Sequence, residues 1–408
     1  MSREKSSSVP LRPDLPVAVV GGGPVGSALS LFLAREGVPV VLLDAGASER
    51  KICGEGILPA GWQVLEDLGI DQDIVRRSPI EGLQYNLHAQ ESWKSMEAPL
   101  SGRAFGVQRP QLFQVFRGAV ESSGVQLYQE ARLRDFQFRG HHLRLEFQQG
   151  QGATRTLDCS HLLAADGLHS LVRRKAGLRS SRTPSYRRWG TRCYFRAAER
   201  RSRVEVTLGD GVESYLTPLG EDLYGLAFLW SPHLLQPALA KEGSLAERLM
   251  SYLPPGFRER LPAGRGELMD EGRAIGPLQQ LVSSVLHPSG RIALVGDAGG
   301  YFDALTGEGL CLGLRQARSL SELLVRGRLN EYPERHRKIK ARHLAVVGGL
   351  LWLIHRPALR ERVFSSLWRC PKQFRAVIGF AVEEAAWWSL LTPQLPRFLL
   401  GLVQRQHR

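Results

Sequence analysis

The first patterned segment is a short β-branched run, Pro16–Gly21, reading PVAVVG. A Gly-rich turn follows. Then Pro24–Glu36 carries Val25, Leu29 and Phe32 at helical spacing, with Gly37 as a stop signal. Val38–Asp44 (VPVVLLD) is a second apolar run, its proline near the start, where a strand tolerates one. Strand, helix and strand joined by short turns predict a right-handed crossover and a parallel pair in a buried sheet. The pattern returns twice. His161–Asp166 leads into Ser170–Ala176, and Arg291–Asp297 leads through a Gly-rich loop into a helix over about 308–326.

The stretch between them reads differently. Residues 193–195, 204–208, 213–219 and 223–230 are short runs separated by turn signals, which predicts an antiparallel meander. Leu83–Ala89 alternates and is expected to join that sheet. From about residue 331 the chain carries AVVGGLLWLI, RERVFSSLW, FRAVIGFAVEEAAWW and PRFLLGLV, divided by prolines and rich in Trp and Arg. These predict helices packed on the body, or an amphipathic surface that touches lipid. The expected fold class is α/β: a Rossmann-like nucleotide domain with an inserted, mostly antiparallel β domain and a helical C-terminal extension.

Length and composition narrow this reading. A chain of 408 residues suggests about two to three domains. Glycine is enriched, with 43 residues, which favours tight turns and backbone-ligand contacts. The net charge of +14 is mostly arginine and dispersed, and the runs at 173–175 and 335–338 do not make a basic tail. Nucleic-acid modules are missing, so no nucleic-acid partner is expected. Cysteines 53, 159, 193, 311 and 370 form no CxxC pair, which argues against a disulfide framework or a cysteine zinc site. A cytoplasmic location is expected. Residues 1–15 read as a disordered leader without an apolar export core. The longest apolar run, Leu344–Ile354, is short of the roughly 20 residues a membrane span needs. No HExxH, GxSxG or P-loop pattern occurs, and no metal site is expected.

Three motifs carry chemistry. Gly21-Gly22-Gly23-Pro24-Val25-Gly26 fits GxGxxG directly after a strand and at the opening of a helix. Gly21 permits the tight turn, Gly23 lets the backbone approach a pyrophosphate, and Gly26 lets helix pack on strand. The helix N-terminus offers free N–H groups to phosphate. Asp44, at the end of the second strand, is placed for the hydroxyls of a ribose. The second motif is Asp166-Gly167, within residues 164–173. The third is Gly296-Asp297, followed by Gly299-Gly300 and Gly307-Glu308-Gly309.

In this order and spacing the three motifs resemble the FAD-dependent oxidoreductases of the para-hydroxybenzoate hydroxylase-like superfamily, over roughly residues 16–330. That superfamily includes aromatic hydroxylases, geranylgeranyl reductases and flavin-dependent halogenases, and serves secondary metabolism among other pathways. The resemblance implies that Gly21, Gly23, Pro24, Val25 and Gly26 wrap the FAD pyrophosphate and that Asp44 holds the adenosine ribose. It implies Arg109 at the ribityl-phosphate region, Asp166 and Gly167 at FAD and a transient NAD(P)H, and Gly296 with Asp297 at a ribityl hydroxyl. Gly307, Gly309 and Leu310 would open a helix aimed at the flavin N1–C2 edge, where a helix N-terminus stabilises negative charge by roughly 0.3–2 kcal/mol. The expected FAD-binding domain comprises 16–80, 101–187 and 272–330. The substrate domain comprises 81–100 and 188–271, and the helical extension 331–408.

The run Lys51-Ile52-Cys53-Gly54-Glu55-Gly56 resembles the geranylgeranyl reductase-like branch, which implies Cys53 and Gly54 beside the flavin. Glu55 is either a general acid or base, or a turn cap. Tyr301, Phe302, Asp303 and Thr306 are expected to line the active site, with Tyr301 and Asp303 as candidate catalytic groups. Tyr215 and Thr217 would form the opposite wall. The leading expectation is a monooxygenase in which NAD(P)H reduces FAD and O2 adds at the flavin C4a to oxygenate a small, lipophilic or carrier-bound substrate. The alternative is an FAD-dependent reductase or dehydrogenase acting on a carbon–carbon bond. The GDAGG departure from the hydroxylase GDAAH pattern, and the greasy tail, point toward the alternative. No second dinucleotide domain is visible, so NAD(P)H would bind transiently or a separate reductase would supply electrons.

Overall fold

The computed structural model describes residues 9–46, 54–89, 91–181, 188–231, 242–262, 267–270 and 272–403. Lys51, Ile52 and Cys53 of the candidate loop lie outside the described residues.

The apolar runs at the start and middle of the chain assemble into one five-stranded parallel sheet. Its order is Ile292–Leu294, His161–Ala164, Val17–Val20, Val40–Leu43, Gln126–Tyr128. Every neighbouring pair is parallel. The four strands other than the edge strand Gln126–Tyr128 are buried along their whole length, which explains why they read as continuous hydrophobic runs rather than alternating ones. Helix Pro24–Arg35 runs between the first two strands and buries Ala28, Leu29, Leu31 and Leu33. It packs on helix Gly309–Val325, which buries Leu314, Ala317 and Leu320. The second strand is shorter than its apolar run: Val38 and Pro39 precede it and Asp44 follows it.

A three-stranded antiparallel ribbon, Ala131–Arg139, His142–Gln149 and Thr154–Cys159, lies in chain order between strands Gln126–Tyr128 and His161–Ala164. Its inward Leu133, Leu143, Leu145 and Phe147 are buried while the intervening positions are largely charged or polar.

The meander forms an eight-stranded sheet. Trp189–Arg196, Leu223–Trp230, Val212–Pro218 and Arg203–Leu208 run antiparallel in that order. Gly82–Ala89 adds in parallel beside Arg203–Leu208, and Ser92–Pro99 completes a hairpin on it. Cys193, Phe195, Leu226 and Phe228 meet Leu249 and Met250 of helix Leu245–Met250. At the other end Leu83, Leu87, Met96, Val206 and Leu208 meet Phe364, Leu367, Phe374 and Ile378 from helices Pro357–Trp368 and Pro371–Ala381. The tail therefore packs its inner faces on the sheet. Among the described residues no helix is long and apolar enough to cross a membrane.

Candidate active site

The three Gly/Asp turns meet at the C-terminal ends of the parallel strands, where open α/β sheets bind ligands. Gly21 adopts φ +107, and a β-carbon there would overlap the carbonyl oxygen of Ala165. The Gly-rich turn and the Asp166-Gly167 turn thus touch backbone to backbone. Val25 carries the contact to the third motif: a β-carbon on Gly296 would stand 3.2 Å from its Cγ1, and one on Gly313 2.6 Å from its Cγ2. Buried Arg173 ties the second motif to the third, donating to the Ala298 carbonyl at 2.9 Å and the Leu168 carbonyl at 2.8 Å. Gln316 holds the third turn from behind by accepting from Gly296 N at 3.0 Å.

Around this junction are features that a dinucleotide fits. A β-carbon on Gly23 would find only Phe113, at 3.9 Å, and one on Gly167 or Gly307 would meet nothing within 4 Å. The helix that starts at Pro24 has no side-chain cap, and neither has the one that starts at Gly309, so both leave backbone donors for a ligand. Asp44 is buried just past its strand. It accepts from Gly46 N at 3.1 Å and stands 3.8 Å from Arg117. Gly22 cannot be larger, because its β-carbon would come within 2.5 Å of the Asp44 side chain. The Asp166 carboxyl serves its own short helix: Oδ2 accepts from Leu171 N at 2.7 Å and Val172 N at 3.2 Å, while buried Oδ1 has no partner among the described residues. Burial raises its pKa against the helix hydrogen bonds. Asp297 is half-buried in the Gly296–Gly299 turn. Its neighbour Lys340 donates to Gly300 O at 2.8 Å, and burial lowers that ammonium to about 8. Tyr301 lays its ring beside Gly309, 3.1 Å from where a β-carbon would be, and Leu310 is partly buried in the first helical turn.

Two buried polar clusters flank the junction. In the first, Glu55 Oε1 accepts from Arg109 N at 2.9 Å, Arg192 Nη1 at 2.8 Å and the Tyr194 hydroxyl at 2.8 Å. Glu55 thereby supplies the N-terminus of helix Arg109–Glu121 with an acceptor. The Arg109 guanidinium returns to the Gly54 carbonyl at 2.8 Å. Glu55 Oε2 is buried with no partner among the described residues. Thr217 borders this loop, its methyl 3.7 Å from where a Gly56 β-carbon would be.

In the second cluster, Arg188 bridges Glu213 and Asp303, the latter at 3.3 Å. Asp303 Oδ1 also accepts from Leu305 N at 3.0 Å, and Oδ2 has no partner among the described residues. Burial raises both carboxyls, against the opposing pull of Arg188. The Tyr215 hydroxyl donates to Leu305 O at 3.0 Å, and its phenol is driven well up by burial and Glu213. Thr306 and Glu308 both contact His343 Nδ1, at 3.2 and 3.1 Å. Asp303, Thr306 and Tyr215 therefore stand together, with Thr217 nearer Glu55. Sequence reasoning missed Arg188, Arg192, Tyr194, Glu213, Glu308 and His343. The available signal was the i, i+2 pairing on one strand face, Arg192 with Tyr194 and Glu213 with Tyr215.

A family described as an FAD binding domain matches residues 14–198. The chain thus carries an FAD-binding domain, in keeping with the resemblance of its motifs to the para-hydroxybenzoate hydroxylase-like superfamily. It is similar to a menaquinone reductase of Mycolicibacterium smegmatis, with 28% identity over 331 residues, 78% of this chain and 78% of that one. In structure it is similar to a flavoprotein/dehydrogenase from Cytophaga hutchinsonii, with TM-score 0.77, 15% identity, and 94% and 96% of the two chains covered. It is also similar to p-nitrophenol 4-monooxygenase from Pseudomonas putida, with TM-score 0.74, 20% identity, and 91% and 97% covered. Likeness at these last identities speaks for the shared fold.

Proposed function

We propose that this oxidoreductase saturates a carbon–carbon double bond of a lipophilic, polyprenyl-type substrate, using FAD as its electron carrier. One observation carries the reading: the carboxyl of Asp303, in the loop that leads into helix Gly309–Val325, is buried with its pKa raised by that burial and its Oδ2 without a partner among the described residues. Bound FAD supplies the two electrons. Saturating the double bond also requires two protons at carbon, so a buried acid near the reacting atoms is the protein's part. The similarity to menaquinone reductase over three quarters of the chain supports the same choice.

Each element of the site then has work. The N-terminus at Gly309 steadies negative charge by roughly 0.3–2 kcal/mol. Burial raises the Asp303 pKa and its Oδ2 has no partner among the described residues, so this carboxyl is the group placed to deliver a proton. Arg188 bridges Asp303 and Glu213 and fixes both carboxyls in place, and Tyr215 fixes the loop through Leu305 O. Leu305 continues into an apolar cluster with Phe302, Val347 and Leu351, which shelters greasy substrate and excludes water. Gly23, Asp44 and Asp297 grip the dinucleotide, Gly21 and Gly26 let the turn and helix close up behind it, and Arg109 with Glu55 fixes the wall opposite. NAD(P)H, binding transiently, or a separate reductase delivers the electrons.

The test is turnover of the holoprotein with a polyprenyl quinone and NAD(P)H, without oxygen and then under heavy-oxygen gas. The reductase reading expects a product heavier by two hydrogens under both conditions and unlabelled by oxygen. Incorporation of one heavy oxygen atom, with no anaerobic product, would assign instead the NAD(P)H- and O2-dependent hydroxylation that the motifs alone suggested.

A further inference from the structure

The helix Leu395–Val403 is amphipathic in the reverse sense from a solvated surface helix. Its inner side is committed to the body. Ser366 donates to the Phe398 carbonyl at 2.8 Å, and a β-carbon on Gly401 would overlap the Ser366 hydroxyl. At 3.6 residues per turn, Leu399, Leu400 and Val403 then point the other way, and they are exposed by 50%, 62% and 81%. No residue of this helix is buried. Just before it, the turn Trp387–Leu390 leaves Trp387 and Trp388 exposed by 63% and 64%, followed by Leu391 at 64%. That turn is itself pinned, since Gln373 donates to the Leu390 carbonyl at 3.0 Å. The apolar residues are thus displayed by a fixed scaffold, which a solvent-facing surface does not favour.

The charges beside them have one sign. In residues 352–403 the exposed basic side chains are Arg356, Arg362, Arg369, Lys372, Arg375 and Arg397, against a single exposed acid, Glu361. The remaining acids are engaged elsewhere: Glu383 pairs with Arg315, and Glu384 accepts from the backbone of Ser101 and Gly102. Arg360, the remaining base, is buried against Asp210.

From these observations we propose that segment 387–403 is a docking surface for an anionic lipid bilayer. Its leucines and valine enter the acyl boundary, its tryptophans sit at the headgroup level, and Arg397 with the exposed basic residues of the preceding helices meets lipid phosphates. Tryptophan suits that boundary because one end of the ring is apolar and the other polar. Basic charge adds attraction to anionic headgroups and fades with salt. No helix of the described residues has a bilayer-spanning apolar length, so the contact is interfacial. The inference is independent of the redox reading, because binding is read without turnover.

The experiment is co-sedimentation of the full-length holoprotein with phosphatidylcholine vesicles and with vesicles that contain phosphatidylglycerol. The expected result is partitioning at least tenfold stronger onto the anionic vesicles, weakened by added salt. Two variants are compared: Leu399→Gln with Leu400→Gln, and Trp387→Ser with Trp388→Ser. Each should lower partitioning at least tenfold while flavin content and melting temperature stay at the parent's values. Brominated lipid should quench the parent's tryptophan fluorescence more than that of the Trp387→Ser/Trp388→Ser variant. Absence of partitioning onto either vesicle overturns the proposal. So does a dimer in solution that the same substitutions dissociate, since that would assign the surface to a second copy of the chain.

Discussion

Gly26 stands so close to Gly21 that a β-carbon on Gly26 would overlap the Gly21 carbonyl oxygen. Gly23, three residues earlier, has φ −71 and nothing but Phe113, at 3.9 Å, near its would-be β-carbon. The two glycines are therefore needed for different reasons, one for packing and one for ligand. Gly26→Val should destabilise by about 3 kcal/mol or more through overpacking, seen as a lower urea midpoint. Gly23→Ala should keep stability within about 0.5 kcal/mol yet weaken FAD binding at least tenfold in a flavin titration. Equal effects of both on stability would mean that Gly23 also serves packing.

Asp297 occupies the turn between strand Ile292–Leu294 and helix Gly309–Val325, beside Lys340. Asp297→Ala should purify folded but nearly colourless, with a flavin-to-protein ratio below a tenth of the parent's. Its carboxylate also opposes the fall of the Lys340 pKa, so removing it should lower that pKa further. Retention of full flavin by the alanine variant would count against Asp297 as a ribityl ligand.

Arg188 neutralises two buried acids at once, Glu213 and Asp303. Removing one partner of a buried ion pair costs about 3–5 kcal/mol, and Arg188→Leu should lose that much at pH 7. The sign of its pH dependence follows from the raised carboxyl pKa values. A raised folded-state value favours the fold below the unfolded carboxyl range and loses that support as pH rises through it. The Arg188→Leu deficit should therefore shrink on acidification from pH 7 to pH 5, measured by urea unfolding at both. Asp303→Asn keeps the size and most of the hydrogen bonding, so its stability cost should be smaller. As the proposed acid, however, it should slow turnover by about 100-fold or more.

The parts of this molecule that were legible in its sequence are those whose cause is local. Val17–Val20 and His161–Ala164 read as strands because both faces are buried, and Gly21, Asp166 and Asp297 read as turns because each needs a local backbone shape. The ribbon over residues 131–159 is harder to read, since charged and polar residues alternate with its buried ones and blur its pattern. The polar clusters are legible only in three dimensions. Glu55 meets Arg109, Arg192 and Tyr194 at sequence separations of 54, 137 and 139 residues. Whether Glu55 caps a helix or moves a proton depends on those partners, and nothing in the CGEG run encodes them.

His336, on helix Tyr332–Ile354, is buried against Gly299 with Tyr332 and Lys340 as neighbours, and its Nε2 has no partner among the described residues. Burial, reinforced by the Lys340 charge, lowers its pKa from 6.5 to about 3. The folded chain thus keeps this ring neutral where the unfolded chain would protonate it. A depressed folded-state pKa gives stability that is complete above 6.5 and lost as pH falls toward 3, at about 1.4 kcal/mol per pH unit. Between pH 6.5 and pH 5 the parent should therefore lose about 2 kcal/mol more than His336→Gln. The comparison is between the two slopes, so the substitution's own packing cost and the carboxylates common to both proteins drop out. Urea unfolding at the two pH values measures it. Parallel slopes would mean that the ring takes up a proton inside the fold, with Lys340 giving way.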